Sequence, residues 1–499
     1  MFTNIKRLFD SFNWNFILNL IGNVLLVIAA LLILPLIVSL IYREDGYIAF
    51  LITIGISALL GFLLSKIPLK NSTYFAKEGV LGVGLCWIIV SLVGALPFFI
   101  SQEIPSFIDC FFEAVSGFTT TGSSILTNVE GLSHGMLFWR SFTHWIGGMG
   151  VLVFVLAVIP KSNERTMHVM RAEAPGPVIG KLVPRLQDTA KILYTIYIVM
   201  TIIEVILLLL AGMSLFDSLC HSFGTAGTGG FGIKNTSIAY YDNSAIHIII
   251  TIFMILFGIN FNIYYFLLIK EYKQAFKDQE MHAYLGIILC AIICITLNIL
   301  PQSENLFIAT RDASFQVGSI ITTTGYSTVD FNLWPTFSKI ILFLLMFVGA
   351  SAGSTGGGIK VSRMLIIAKK IKLDLQRIIR PNKVDAITYN GKIVPEETVN
   401  AILSFFGCYM LIAAACFLIV ALDNFDFETT ISGVIACLSN IGPGFSVCGA
   451  VGTFAYFSDL SKIVLSIAML IGRLEIYPIV ILFIPLYLQG NKRKFKTGS

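Results

Sequence analysis

Charge is what this sequence has least of. Only 13% of its 499 residues are Asp, Glu, Lys or Arg, about half the roughly 25% of an ordinary soluble protein. Hydrophobic residues make up 56%, and the mean hydropathy is +0.84. Such a chain reads as an integral membrane protein, and soluble multi-domain folds are excluded. Histidine is also scarce: the six residues are scattered and offer no metal-ligand spacing. The nine cysteines contain no CxxC pair and mostly lie in apolar runs, as Cys290 and Cys294 or Cys408 and Cys416 do. They read as small packing residues, not metal ligands or disulfides. There is no nucleophile–base pair, no nucleic-acid signature and no secreted-scaffold signature, so no enzyme is expected. The N-terminal apolar run from about Phe16 is longer than a signal peptide's and lacks a small-residue cleavage site.

What the chain has instead is apolar runs of spanning length, about 20 residues. Ten candidate spans cover 16–41, 47–65, 79–100, 136–160, 191–213, 245–269, 282–300, 337–370 (interrupted), 397–422 and 461–489. Four shorter apolar stretches, near 109–119, 216–226, 312–322 and 428–439, end in polar or small residues. Two of them close on the same tetrapeptide, Thr119-Thr120-Thr121-Gly122 and Thr322-Thr323-Thr324-Gly325. The other two close on Ala226-Gly227-Thr228-Gly229 and Ser439-Asn440-Ile441-Gly442. Stretches too short to cross suit re-entrant half-helices, tolerated at membrane depth only when buried in protein or lining a water-filled cavity. The plainer alternative is four outer loops of high turn propensity, against which repetition at matched positions argues.

Most of the 34 lysines and arginines fall in alternate connections: Lys6 and Arg7, the 66–77 loop, 161–191, 270–280, 363–393 and the Lys492–Lys496 tail. That side, with both termini, is therefore expected in the cytoplasm. The opposite loops carry Glu103, Asp109, Glu130, Asp217, Asp242, Asp312, Asp330, Asp423 and Asp459. The expected fold is all-α: four pseudo-repeats of membrane helix, re-entrant pore helix and membrane helix around one central pore, preceded by a two-helix hairpin. The expected boundaries are 1–76 for the hairpin and linker, 77–190, 191–280 and 281–396 for the first three repeats, and 397–499 for the fourth with its basic tail.

Rings of backbone carbonyls can replace the water shell of a cation, and glycine permits backbone conformations that turn successive carbonyls inward. Each short helix would aim its negative end at the pore, and acidic outer residues would concentrate cations. The candidate ion-binding residues are Thr120, Thr121 and Gly122; Gly227, Thr228 and Gly229; Thr323, Thr324 and Gly325; and Asn440, Ile441 and Gly442. The small-residue run Gly349–Gly358, with Gly353, Ser354, Thr355, Gly356, Gly357 and Gly358, interrupts a span and cannot hold a regular helix. It is a candidate gate within the intramembrane segment 349–360; close helix packing through small residues is the alternative. Arg473 lies inside the last span, where an arginine is a functional hypothesis by default. It is expected to bond carbonyls of the 349–358 loop, unless it simply pairs with Glu475. Lys360 either shares that role or snorkels to the interface. Gly227–Gly232 matches GxGxxG without its strand–helix context, and 353–360 lacks the ending of a phosphate loop.

These residues resemble the Trk/Ktr/HKT superfamily of potassium transport proteins, most closely its TrkH/TrkG branch. The matching stretches are Phe138-Trp139-Arg140, Trp145–Gly150, Ala172–Pro177, Pro184-Arg185, Thr228–Phe231, Gly353-Ser354-Thr355, Gly357–Lys360, Asn440–Gly444 and Gly472–Glu475. The resemblance implies potassium uptake across the bacterial inner membrane by a homodimer with one pore per subunit. It implies potassium as the transported ion, bound by the residues before each filter glycine, and no cofactor on this chain. It implies a TrkA-like cytosolic ring that binds nucleotide, and it assigns gating to the 349–360 segment and Arg473. Besides that ring, the expected surroundings are membrane lipid, with no nucleic acid. Channel-like permeation and sodium- or proton-coupled symport both remain open.

Overall fold

A computed structural model of the protein describes residues 12–68, 76–150, 186–380, 385–476 and 478–480. Helices dominate, because a chain in lipid must satisfy its backbone N–H and C=O groups internally. α1 (Trp14–Leu31) runs on through Leu32 into α2 (Ile33–Tyr42), and α3 (Tyr47–Ser65) returns against α1. Four units follow. The first is α4 (Ala76–Ile100), α5 (Phe107–Phe118) and α6 (His134–Gly148). The second is α7 (Leu186–Leu210), α8 (Leu215–Gly227), α9 (Ser244–Phe257) and α10 (Phe261–Leu268). The third is α11 (Gln279–Ile299), α12 (Leu306–Ile321), α13 (Thr336–Val348) and α14 (Val361–Ile379). The fourth is α15 (Glu396–Val420), α16 (Phe427–Leu438) and α17 (Asp459–Arg473). In each unit a helix of 12–16 residues, too short to cross a membrane, sits between its neighbours and leads into a glycine loop, the repeat anticipated from the sequence.

Among the described residues, six helices are long and apolar enough to cross a membrane, and α9 with α10 makes a seventh as one bent span. Their outer faces are apolar: Leu210, Leu411 and Leu418 are all more than 70% exposed, the inverse of a soluble surface and what lipid demands. The four short helices are buried through their C-terminal halves. The second half of the expected 136–160 span, most of the basic 161–191 connection, Lys6, Arg7, and the end of the 461–489 span with its basic tail lie outside the described residues.

Three features differ from the sequence expectation. The 245–269 run is not one straight span: it bends by 90° between α9 and α10. The third short helix begins at Leu306, so Asp312 lies inside it, beside Arg311, and not ahead of it. Finally, a two-stranded hairpin, Thr388–Tyr389 against Lys392–Ile393, stands among the helices of the described residues. Its turn is Asn390-Gly391, both at positive φ (49° and 75°), the pairing that two-residue hairpin turns favour.

The N-terminal hairpin is fastened to the first unit by Glu44, between α2 and α3. Its carboxylate accepts from the His134 and Gly135 backbone N–H groups at 2.7 and 3.0 Å, bonding donors that a helix start leaves free. The Tyr42 and His134 rings stack at 3.9 Å. Glu44→Ala should therefore cost about 1–2 kcal/mol, measurable as a lower melting temperature in detergent with helix content unchanged.

Candidate pore loops and the intramembrane segment

The four short helices start and stop in the same way. At their N-termini, Ser106, Ser214, Asn305 and Asp426 accept from the backbone N–H three residues on, at 2.9–3.4 Å, standard N-caps. At their C-termini each chain turns through a left-handed residue: Thr120 (φ 54°), Thr228 (53°), Thr323 (60°) and Asn440 (57°). The paired bonds of a Schellman motif recur four times. In the first unit Thr120 N–H bonds Gly117 O at 3.1 Å and Thr121 N–H bonds Ser116 O at 2.9 Å. The same offsets appear at Thr228 and Gly229, at Thr323 and Thr324, and at Asn440 and Ile441. This position usually takes glycine or asparagine. A β-branched threonine there is an outlier costing of order 1–3 kcal/mol, yet three of the four are threonine.

Two residues beyond each left-handed position stands a glycine, also at positive φ: Gly122 (82°), Gly230 (74°), Gly325 (86°) and Gly442 (101°). The second loop is therefore Thr228-Gly229-Gly230, one residue later than the Gly227-Thr228-Gly229 expected from sequence. Gly227 still belongs to α8 and packs against the His144 backbone. The alanine and glycines of Ala226–Gly230 blur the register, whereas the Schellman bonds fix it.

These glycines close a ring. A Cβ on Gly122 would overlap the Gly229 carbonyl oxygen, one on Gly230 that of Thr324, and one on Gly325 that of Ile441. A Cβ on Gly442 would lie 2.8 Å from the Thr121 carbonyl oxygen. First unit meets second, second third, third fourth, and fourth first, so the four loops surround one axis with backbone carbonyls in close succession. The threonine hydroxyls support this ring from behind: Thr119 bonds Thr121 at 2.8 Å and Thr322 bonds Thr324 at 2.7 Å. Asn440 Nδ2 ties the fourth loop to Thr121 Oγ1 (2.8 Å) and to Met469 O in α17 (2.9 Å).

The 349–360 segment lies directly against two of these loops. Gly357 N–H donates to Thr323 Oγ1 at 2.6 Å, and a Cβ on Gly357 would crowd Ser439 O and the Asn440 Cβ. Gly356 approaches Thr322 O, while Gly353 and Gly358 take positive φ (73° and 76°). Ser354 Oγ bonds Ser351 O within the segment. The same segment fills the bend between α9 and α10: Ser351 N–H reaches Gly258 O (3.1 Å), Thr355 Oγ1 reaches Phe257 O (3.2 Å), and Gly353 O accepts from Phe261 N–H (3.0 Å). Two broken spans thus satisfy each other's backbone. Arg473 joins a third element: Nη1 donates to Thr355 O at 2.8 Å, and Nη2 to the Gly147 and Gly148 carbonyls at the end of α6. Glu475 pairs with Arg363. Lys360 is buried and donates to Gly356 O, so it does not snorkel.

Residues 45–494 match the TrkH family, described as cation transport proteins. The Trk system potassium uptake protein TrkH of Salmonella typhimurium is 35% identical over 94% of this chain and 98% of its own length. TrkG of Escherichia coli is 34% identical over 90% and 93%. The crystal structure of the potassium transporter TrkH from Vibrio parahaemolyticus superposes with a TM-score of 0.86 at 32% identity, covering 95% of this chain and all of that one. The chain belongs to the TrkH family. It is thus a multi-pass ion transport protein, not an enzyme, of the TrkH/TrkG branch.

Around this TrkH-family ring stand residues to which sequence reasoning gave no role. Glu113 of α5 and Arg140 of α6 form an ion pair with both side chains buried. Glu113 also accepts from Ser124 Oγ (2.9 Å) and Ile125 N–H (3.0 Å), just past the first loop. Arg140 donates to Gly232 O (2.8 Å) and lies 3.7 Å over the Phe231 ring, just past the second. One pair therefore braces two neighbouring loops. Phe138-Trp139-Arg140 hinted at it, but its partner 27 residues earlier carried no sequence signal. Glu204, fully buried in α7, stands beside Thr225 in the last turn of α8. Arg140→Met should leave Glu113 as an uncompensated buried charge and cost about 3–5 kcal/mol. Arg140→Met combined with Glu113→Gln should melt above the single variant, which paired thermal melts would check.

Proposed function

We propose that this chain is a gated potassium-uptake pore of a bacterial inner membrane, with the four glycine loops as its selectivity filter. The carrying observation is the closed ring of carbonyl-to-glycine contacts from Gly122 through Gly230 and Gly325 to Gly442. A ring of backbone oxygens suits a dehydrated monovalent cation, and the relatives named above are potassium uptake proteins. The filter residues are Thr120, Thr121 and Gly122; Thr228, Gly229 and Gly230; Thr323, Thr324 and Gly325; and Asn440, Ile441 and Gly442. The basic connections and both termini face the cytoplasm, and the acidic loops at the short-helix N-termini face outward. Two copies associate with one pore each. A cytosolic nucleotide-binding ring on the basic face sets the open fraction.

The 349–360 segment is the gate, because its glycines lie against the third and fourth filter loops and hydrogen bonds link it to the bend between α9 and α10 and to Arg473. Arg473 is the latch that binds it to α6, and Lys360 closes its own turn. A second reading, proton-coupled symport, draws support from Glu204, a carboxylate within the membrane beside the second loop.

Rubidium uptake into proteoliposomes tests both. Uptake driven by the rubidium gradient alone, and blocked by potassium better than by sodium, is expected for the pore. Uptake that requires an imposed proton gradient would favour symport. Gly122→Ser places a Cβ against the Gly229 carbonyl at a strained φ, and should lower potassium-over-sodium discrimination by about tenfold or more. Unchanged selectivity would exclude Gly122 from the filter. Arg473→Ala should raise partner-free uptake several-fold, and a folded variant with unaltered or lower flux would remove the latch.

A further inference from the structure

At the foot of α11 a single carboxylate holds both ends of the gate segment. Glu280, in the helix's first turn, is 2% exposed. Its Oε1 accepts from Ala352 N–H at 2.7 Å and from Ser362 N–H at 2.9 Å. Ala352 lies just inside the start of the segment and Ser362 just past its end, so one oxygen staples the entry to the exit. Its other oxygen, Oε2, accepts from Tyr389 Oη at 3.2 Å. Tyr389 belongs to the small hairpin, outside the spans.

The hairpin is seated on the same helix start, and Tyr389 with the flanking Ile387 and Val394 joins an apolar cluster with Ile366 and Leu373 of α14 and Val399 and Ile402 of α15. Asn390 Oδ1 accepts from Gln279 N–H at 2.8 Å, and Asn390 Nδ2 donates to Asp278 at 2.7 Å. Lys369 Nζ bridges Thr388 O (2.8 Å) and Gln279 Oε1 (2.6 Å). Each of these hydrogen bonds is exposed to solvent, whereas the Glu280 bonds to the gate segment are buried. The hairpin's far strand presents Ile393 at 70% exposure, and the end of α14 presents Ile378 and Ile379 at more than 75%. Burial, with the Glu280 and Asp278 carboxylates beside it, holds the Tyr389 phenol far above its ordinary pKa, so it remains a donor.

We propose that Glu280 is a positioning residue that couples the 388–393 hairpin to the gate, the hairpin being the lever on which a cytosolic partner acts. This rests on the reading of 349–360 as the gate. A partner that grips the exposed edge of the hairpin pulls Tyr389 away from Oε2. The carboxylate then turns toward water, leaving the Ala352 and Ser362 N–H groups without an acceptor. An unsatisfied buried donor is the costly state, so the segment's two ends part and the gate loosens without any direct contact between partner and pore.

The test uses the full-length protein in proteoliposomes without its partner, and reads rubidium uptake alongside hydrogen exchange over residues 349–362. Tyr389→Phe should raise both by about tenfold, the size expected from losing one hydrogen bond to a carboxylate. Glu280→Ala should raise both further, and Glu280→Gln, whose oxygen still accepts from both N–H groups, should restore most of the closure. Exchange elsewhere in the core should stay unchanged, which a general loss of fold would not produce. If Arg473→Ala raises uptake while Tyr389→Phe and Glu280→Ala leave uptake and loop exchange at the parent level, the coupling is wrong and the gate stands. If loop exchange rises in all three but uptake in none, the gate reading fails, and the proposal with it.

Discussion

Backbone that leaves the helix inside a membrane has no water to turn to, and each unpaired group costs several kcal/mol. The structure resolves this by setting its irregular stretches against one another. The bend between α9 and α10 frees the Phe257 and Gly258 carbonyls and the Phe261 N–H, and Thr355, Ser351 and Gly353 of the intramembrane segment meet all three. Neither break is tenable alone. Moving the segment would strand the bend, so the two form one unit with few intermediate arrangements. That is the property a two-state gate needs.

The ring of glycine–carbonyl contacts follows from the same constraint. Four Schellman motifs bond the last carbonyls of the short helices inwardly, and the left-handed residue in each throws the next glycine against its neighbour. Threonine at three of these positions is unfavourable. The ring over-determines it: hydroxyl pairs behind the loops, the Glu113–Arg140 brace and the Asn440 cross-link hold conformations that an isolated peptide would leave.

Fourfold symmetry is therefore local to the ring. Outside it every unit differs: the second carries the bend, the third the segment that fills it, and the fourth the arginine that ties this segment to the first. The proposed gate draws on all four units because each contributes one unlike part. The hairpin after α14 adds a further asymmetry, giving the third unit alone a route from solvent to the segment through Glu280.

Sequence alone established the membrane class, the repeat, the re-entrant helices and the break at 349–360, because these depend on composition, run length and glycine content. Arg473 was legible as an anomaly, and so was its attraction to the segment's carbonyls. The register of the second loop was not, since Ala226–Gly230 offers several equivalent frames until hydrogen bonds choose one. Nor were the 90° bend at Gly258, the Glu113–Arg140 brace or the Glu280 staple. Each joins residues far apart in the chain, and an apolar run looks the same whether or not another segment fills its break. Local chemistry specifies which elements form. Which unpaired groups meet is decided by packing, because only the assembled bundle brings a donor from one broken span to the acceptor of another.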